Sequence, residues 1–155
     1  MSATRGLMPA SGILEDGEHC FPVRVYFEDT DVGGVVYHAN YLRYMERARS
    51  DMLRLLGIDQ RASLENGEGV YAVAEVAIRY RAPARLDEDL VVRSRVMQIT
   101  PARCVIAQSV WRGETELTQG SVTVAFLDPA GRPRRQPAAW IERFIPHAPK
   151  DPAPA

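Results

Sequence analysis

Two carboxylates and one histidine lie within ten consecutive positions of the chain, at Asp29, Asp31 and His38, with Gly33 and Gly34 between them. A carboxylate beside a bound carbonyl compound can attack the carbonyl carbon or activate a water molecule. Glycines let the backbone approach a substrate closely because they carry no side chain. This group of residues therefore suits the hydrolysis of an ester or a thioester.

The residues after this loop predict a long helix from about His38 to Leu56, with Gly57 as its C-terminal stop signal. The first N–H groups of a helix have no intrahelical partner and carry a partial positive charge. They can therefore hold a carbonyl oxygen and stabilise the oxyanion that forms on attack. The predicted apolar face comprises Tyr41, Met45, Ala48, Met52, Leu55 and Leu56, and the polar face comprises Arg43, Glu46, Arg47, Arg49, Ser50 and Arg54.

Each candidate residue also has a purely structural interpretation. Asp29 and Asp31 can form the turn or cap the helix, and for Asp29 this interpretation is favoured. His38 can be a capping or half-buried histidine, and the two glycines can serve the turn alone. Tyr37 and Tyr41 can be ordinary core aromatics, which the apolar face favours for Tyr41.

The flanking segments predict an antiparallel sheet around this helix. A β-branched and aromatic run at residues 21–27 predicts one strand before the helix. Residues 70–80, 90–100, 104–111 and 116–127 predict four strands after it, and the short connections indicate antiparallel neighbours. The predicted fold class is α+β, with a sheet of about five strands wrapped around one long central helix.

The remaining segments predict a loop, a short helix and two extensions. Residues 58–69 are polar and predict a loop, whereas residues 138–144 predict a short helix. Residues 1–18 show no periodicity and residues 146–155 are proline-rich, so both predict flexible ends. One folded domain is therefore expected over residues 19–145.

Composition and charge argue against several classes of function. The chain has 155 residues, 46% of them hydrophobic and 25% charged, which is typical of one globular domain. A net charge of -1 gives no support for a nucleic-acid-binding protein. Cys20 and Cys104 lack a metal-binding spacing, so neither a metal site nor a disulfide framework is expected. No signal peptide or membrane-spanning run is recognisable, and a cytoplasmic location is expected.

Residues 28–49, with the sequence EDTDVGGVVYHANYLRYMERAR, resemble the signature of the 4-hydroxybenzoyl-CoA thioesterase family. They are most similar to its bacterial acyl-CoA thioesterase branch, which is often associated with the Tol–Pal envelope system. The likeness continues through the preceding strand, the end of the helix and residues 73–96, so it covers most of the folded body. The residues that meet the pattern D-x-D-x-x-G-x-V-x-H-x-x-Y are Asp29, Asp31, Gly34, Val36, His38 and Tyr41.

The resemblance implies a hotdog fold, assembled as dimers and commonly tetramers, that hydrolyses acyl-CoA thioesters without a metal or other cofactor. Asp31 matches the catalytic carboxylate, which acts as nucleophile or as general base on water. His38 matches the residue whose backbone N–H points at the thioester carbonyl, and its imidazole is expected to assist. Gly34 and Tyr37 are expected to shape the acyl end of the site.

The implied substrate also requires cationic groups for the phosphates of CoA. Arg79, Arg81 and Arg85 lie near a predicted strand end and are the candidates, with a solvated surface role as the alternative. The implied partners are the acyl-CoA substrate and further copies of the chain. An acyl carrier protein or proteins of the envelope and of lipid synthesis are further candidates. No nucleic acid and no transmembrane segment are expected.

Two other functions stay open at this point. A hotdog dehydratase for hydroxyacyl thioesters needs a histidine and an acid arranged to move protons at carbon. Here Asp31 precedes the helix and His38 begins it, which fits hydrolysis better. A non-catalytic acyl-CoA-binding or adaptor protein would not require a carboxylate beside the thioester. The sequence does not set the acyl group as short aliphatic, long aliphatic or aromatic.

Overall fold

The computed structural model of the chain describes residues 6–150. It contains one six-stranded antiparallel sheet, in the strand order β1-β2-β4-β5-β6-β3, and three α-helices. In chain order the elements are β1 (Ile13–Glu15), β2 (Glu18–Arg24), α1 (His38–Leu55), α2 (Gln60–Glu65), β3 (Val70–Tyr80), β4 (Asp89–Ile99), β5 (Arg103–Arg112), β6 (Thr115–Leu127) and α3 (Ala138–Phe144).

The long helix and the four strands after it confirm the predicted α+β architecture. The bounds of β3 to β6 differ from the predicted bounds by at most one residue. Helix α1 ends at Leu55, two residues before the expected stop signal Gly57, which has a φ of 74°, and Ile58 N–H donates to Leu53 O at 2.9 Å. That left-handed glycine and the bond across it form the expected C-terminal cap. The short helix α3 also lies where it was predicted.

The N-terminal part of the chain differs from the prediction. The strand expected at residues 21–27 is β2 and ends at Arg24, because a 3-10 turn begins at Phe27. A sixth strand, β1, pairs with β2 and lies inside the expected extension of residues 1–18. The first five residues lie outside the described part, as do residues 151–155 of the expected C-terminal extension.

A short helix, α2, replaces part of the loop expected at residues 58–69. The carboxylate of Asp59 accepts a hydrogen bond from Ala62 N–H at 2.9 Å and so caps the first turn. Six residues are too few to display a helical period, which is why the pattern did not predict this element. Its cap, an aspartate before a polar run, is the one signal that the sequence offered.

Helix α1 packs against the sheet, and the core between them consists of two clusters. Tyr41, Tyr44, Met45 and Ala48 pack with residues of β2, β4, β5 and β6 near the beginning of the helix. Met52 and Leu53 pack with the other ends of β4, β5 and β6 and with α3. The helix is therefore clamped over most of its length, which gives its N-terminus a fixed direction.

Two residues of α1 lie on the opposite face from the one predicted. Leu55 was placed on the apolar face but is 44% exposed, since the helix ends there. Arg49 was placed on the polar face but is buried. Its guanidinium pairs with Glu46 and donates to Gln108 Oε1 at 2.8 Å, and these bonds compensate its burial.

A buried acid on α1 fastens the N-terminal strands to the helix. Asp51 Oδ2 lies 2.7 Å from Nε2 of His19 in β2 and accepts a hydrogen bond from Gly12 N–H at 2.9 Å. Its other oxygen accepts a bond from the Ser11 hydroxyl at 3.1 Å. A side chain at Gly12 would overlap the carbonyl oxygen of Cys20, so the close approach requires glycine. These contacts hold β1 and β2 against the helix.

Candidate active site

Asp29 has a structural role in the loop before α1. Its carboxylate accepts a hydrogen bond from Tyr26 N–H at 2.9 Å across the 3-10 turn. Its carbonyl oxygen accepts bonds from Tyr37 N–H at 2.9 Å and from the Asn40 side-chain amide at 2.8 Å. The favoured interpretation of Asp29 as a turn residue is confirmed, and the loop is tied to the first turn of the helix.

Asp31 closes a tight turn while its side chain stays at the surface. Its Oδ1 accepts hydrogen bonds from Gly33 N–H at 2.8 Å and from Val35 N–H at 3.4 Å. Gly34 N–H donates to the Asp31 carbonyl at 3.0 Å, and Gly34 has a φ of 77°, which favours glycine. No hydrogen bond to Asp31 Oδ2 occurs within residues 6–150. One oxygen thus fixes the carboxylate and the other is available for chemistry.

Helix α1 begins without a side-chain cap. The N-cap residue, Tyr37, makes no capping hydrogen bond, and the first turn contains no acidic residue. Asn40 N–H bonds to the Tyr37 carbonyl at 2.8 Å, so the amides of His38 and Ala39 are the leading donors of this helix. An uncapped N-terminus is a ready site for a developing negative charge.

The segment after β3 is attached to α1 and to the preceding loop through the backbone of Ala84. Ala84 N–H donates to the Tyr41 hydroxyl at 3.0 Å, and its carbonyl accepts from Val36 N–H at 2.9 Å. Burial raises the pKa of Tyr41, so its hydroxyl stays protonated at neutral pH. Tyr41 is buried among core residues, as predicted for it, and its hydroxyl also connects the core to the segment that contains Ala84.

An open cleft of about 340 Å³ lies between the loop, the N-terminus of α1 and the end of β3. Asp31 and His38 both line it, so the structure brings the two predicted catalytic residues to one cavity. Aromatic and aliphatic side chains form most of the remaining surface, which suits an acyl group. The residues that line the cleft are Asp31, Val35, Val36, His38, Tyr41, Tyr80, Arg81, Ala82 and Pro83.

Of the predicted substrate-binding residues, Arg81 lines this cleft, whereas Gly34 and Tyr37 lie outside its lining. Gly34 occupies the turn, and the ring of Tyr37 lies 4.4 Å from that of His38. Arg81 lines the cleft, but its Nε lies 3.3 Å from Glu116 and its Nη2 donates to Gln119 at 2.9 Å.

The two other predicted arginines differ in their position relative to the cleft. Arg79 is exposed on β3 and, by strand alternation, projects to the face opposite Tyr80, which lines the cleft. Arg85 is exposed, and its backbone bridges to Val35 beside the cleft. The backbone of Arg85 therefore adjoins a residue of the cleft lining, whereas the side chain of Arg79 projects away from the cleft.

The sequence pattern did not single out two residues that shape this region. Tyr80, the last residue of β3, donates from its hydroxyl to the His38 carbonyl at 2.8 Å and lines the cleft. Asn40 is buried and joins the helix to Asp29. The position of Tyr80 at a predicted strand end, between Arg79 and Arg81, was a signal that could have identified it. The contact of Asn40 with Asp29 depends on the folded loop, so the sequence carries no signal for it.

Among residues 6–150, no three His, Cys, Asp or Glu side chains are grouped so that they could hold a metal ion. In the same range, no helix has the length and apolar character needed to cross a membrane.

The arrangement of the cleft suits attack on a carbonyl group. The leading amides of α1 can hold a carbonyl oxygen, and Asp31 lies on the neighbouring loop with one free carboxylate oxygen. His38 adds an imidazole at the same place. Together these groups can stabilise an oxyanion and supply either a nucleophile or a base.

Comparisons with known sequences agree with this chemistry. The sequence model of the Thioesterase superfamily matches residues 33–119, a range that includes His38 and begins two positions after Asp31. The acyl-CoA thioesterase YbgC of Haemophilus influenzae is 40% identical over 130 residues, which cover 81% of this chain and 96% of that protein. The acyl-CoA thioester hydrolase YbgC of Escherichia coli O157:H7 is 38% identical over 126 residues, 80% of this chain and 93% of that protein.

Comparison with a solved structure supports the same assignment. The crystal structure of a probable thioesterase from Bartonella henselae superposes with a TM-score of 0.74 at 36% identity, covering 77% of this chain and 99% of that one. The predicted hotdog fold is confirmed by this likeness and by the sheet around α1. Because the family match spans more than half of the sequence and the Haemophilus relative is covered almost completely, this chain belongs to the thioesterase superfamily.

Proposed function

We propose that this protein hydrolyses acyl-CoA thioesters to the free acid and CoA. The observation that carries the proposal is the shared cleft, in which Asp31 and His38 meet at the uncapped N-terminus of α1. The relatives named as acyl-CoA thioesterases, at 38–40% identity over most of the chain, support the same substrate class.

In the proposed reaction the thioester carbonyl oxygen accepts hydrogen bonds from the amides of His38 and Ala39. The partial positive charge of the helix end then stabilises the oxyanion formed on attack. Asp31 either attacks the carbonyl carbon, forming an anhydride that water cleaves, or takes a proton from the attacking water. Its Oδ1 is anchored by Gly33 and Val35, so the carboxylate is oriented before substrate arrives.

The leaving group makes little demand on the protein. The thiol of CoA resembles a free thiol, whose pKa is about 8.5, so the thiolate departs with little acid assistance. Attack is the difficult step, and one carboxylate with an oxyanion site can meet it. We therefore propose that hydrolysis requires no cofactor, with His38 assisting proton movement at the carbonyl or at the attacking water.

The phosphates of CoA are proposed to meet the arginines near the cleft mouth. Among the three candidates, Arg85 suits this role best because it is exposed and its backbone adjoins the loop of Asp31 through Val35. Arg81 is held by Glu116 and Gln119, so it contributes mainly to the cleft wall. Arg79 has a weaker case because it projects to the other face of β3.

We also propose that the protein acts as a homodimer or larger homo-oligomer. Strand β3 is eleven residues long and lies at one edge of the sheet with unpaired backbone groups. It exposes apolar side chains at Val73 and Val76, which are 50% and 40% accessible. Such an edge favours pairing with a second copy. A cytoplasmic location, an acyl carrier protein partner and a link to the Tol–Pal system stay predictions.

The experiment that tests the function measures free-thiol release from a panel of acyl-CoA thioesters with short, long and aromatic acyl groups. Turnover of at least one class, with one thiol released for each acid formed, is the expected result. In a parallel assay the protein is given hydroxyacyl-CoA substrates, and the absorbance of the α,β-unsaturated thioester that a dehydratase would form is measured. A change in unsaturation without thiol release would instead identify a dehydratase, and binding without either reaction would identify a non-catalytic protein.

A further inference from the structure

The exposed beginning of α1 requires support, because nothing in its own first turn caps it. Tyr37 provides no side-chain bond, and terminal turns of helices fray readily. On the loop side, the Asp29 carbonyl receives bonds from Tyr37 N–H and the Asn40 side chain. On the sheet side, the side chain of Tyr80 reaches the first residue of the helix.

Tyr80 contacts the helix N-terminus through its hydroxyl and through its ring. The hydroxyl donates to the His38 carbonyl oxygen at 2.8 Å. The ring lies edge-on to the His38 imidazole, with centroids 6.4 Å apart at 88°, and to the Tyr41 ring at 5.5 Å. All three rings line the cleft that contains Asp31. Tyr80 is thus placed to fix both the backbone and the imidazole of His38.

The carbonyl that accepts this bond belongs to the same peptide group as the Ala39 N–H. A hydrogen bond to a peptide oxygen polarises the group and makes its N–H a stronger donor. The preceding peptide is polarised in the same way, because its Tyr37 oxygen accepts from Asn40 N–H at 2.8 Å. Both leading amides of α1 therefore belong to peptide groups whose oxygens are already hydrogen-bonded.

We propose that Tyr80 is a positioning residue for thioester hydrolysis, whose hydroxyl holds and polarises the peptide group between His38 and Ala39 so that the Ala39 N–H can stabilise the oxyanion. This inference rests on the proposed function. The Tyr80 hydroxyl donates a hydrogen bond to a backbone oxygen, and in this proposal it exchanges no proton with the substrate. Burial raises the pKa of Tyr80, which keeps the hydroxyl a donor through the neutral range.

The test compares Tyr80→Phe with wild type in steady-state thiol release. Phenylalanine keeps the ring contacts and removes only the hydroxyl, so we expect kcat to fall about tenfold while KM changes by less than about twofold. The loss is smaller than the 100- to 1000-fold typical of deleting an oxyanion donor, because the amide itself survives. A kcat equal to that of wild type would overturn the inference.

A matched control removes a hydroxyl from the other end of the same strand. Tyr71 donates to Gln136 at 2.5 Å and lies nine residues before Tyr80, about 30 Å away along the strand. Tyr71→Phe is expected to keep the wild-type kcat. An equal loss in both variants would assign the effect of Tyr80 to general destabilisation and would also overturn the inference.

A spectroscopic measurement separates polarisation from folding. The carbonyl stretch of a bound acyl-CoA is recorded by infrared difference spectroscopy in Asp31→Asn protein, with and without Tyr80→Phe. We expect the band to move toward its free-solution frequency when the hydroxyl is absent, and an unchanged band would contradict the proposal. Failure of the wild-type protein to release thiol would instead refute the proposed function, so the two failures are distinguishable.

Discussion

Two aspartates only two positions apart have different environments and different roles. Asp29 is buried, and both its carboxylate and its carbonyl serve the turn. Asp31 is exposed at the cleft and keeps one oxygen free of protein bonds within the described residues. The sequence singled out both aspartates as candidates, and it correctly favoured a turn role for Asp29. The sequence could not show that Tyr80 contacts His38, because 42 residues separate them in the chain.

At the residue scale, the two proposed functions of His38 can be separated by substitution. Replacing His38 by Ala removes the imidazole but keeps the backbone N–H at the start of α1. We expect kcat to fall about tenfold, which is less than the 100-fold or greater effect of a group that performs the whole proton transfer. Thiol release is measured against His147→Ala, which alters a histidine beyond α3 and should be neutral. Full activity of His38→Ala would mean that residue 38 contributes to catalysis only through its backbone N–H.

At the scale of elements, hydrophobic periodicity predicted the long elements and missed the short ones. Helix α1 and strands β4 to β6 each present a buried face, and β3 is an eleven-residue run rich in β-branched and aromatic residues, so their bounds followed from the sequence. β1 has three residues and α2 has six, and such lengths carry no period. The position of β1 depends on Asp51, which the pattern could not identify as buried because its partners His19 and Gly12 are distant in sequence.

The junction around Asp51 predicts a specific effect on stability. Asp51→Asn should lower the free energy of unfolding by about 2 kcal/mol at pH 7, because it weakens bonds to buried donors. Urea denaturation measures this loss, and Asp89→Asn, which alters an exposed ion pair with Arg24, provides the control. A loss no larger than that of the control would contradict the view that Asp51 fastens the N-terminal strands.

The same residue predicts a dependence on pH. Burial alone would raise the pKa of Asp51, but hydrogen bonds from His19, Gly12 and Ser11 outweigh it and lower the pKa below 3.8. As the pH falls, the Asp51 carboxylate is therefore protonated at a higher pH in the unfolded chain than in the folded protein. The stabilisation is complete above about pH 3.8 and is lost as the pH falls through the lower folded-state pKa. The stability difference between wild type and Asp51→Asn should accordingly shrink as the pH falls below about 3.8.

At the scale of the whole molecule, the two edges of the sheet are unequal. β1 ends the sheet with three residues, whereas β3 ends it with eleven. The cleft lies at the end of β3, next to Tyr80 and Arg81. Pairing of two copies along β3 would therefore bring a second chain close to the cleft. The length of the predicted strand indicated an edge that needs protection, but which strand forms the edge depends on the order in the sheet.

Disruption of this edge tests the proposed assembly. Val76→Lys places a charge near the middle of β3, where the like charge of a second copy would lie close by. We expect sedimentation analysis to show wild type at a multiple of 17.3 kDa and the variant shifted toward the monomer. Ile13→Lys makes the same change on the opposite edge and should leave the mass unchanged. A monomeric wild type, or an unchanged Val76→Lys oligomer, would contradict pairing along β3.

The proposed hydrolysis depends on the carboxylate of Asp31. Asp128 provides a matched control, because its Oδ1 accepts bonds from the second and fourth following residues, Ala130 and Arg132, as Asp31 does from Gly33 and Val35. Asparagine can keep both turns, since its amide oxygen also accepts hydrogen bonds.

The most direct measurement is therefore thiol release from acyl-CoA by wild type, Asp31→Asn and Asp128→Asn, with circular dichroism as the test of folding. We expect Asp31→Asn to fold normally and to lose at least about a thousandfold in kcat, within the range of general acid–base catalysis. Asp128→Asn should retain wild-type turnover. Near-wild-type turnover of a folded Asp31→Asn protein would contradict the proposed mechanism.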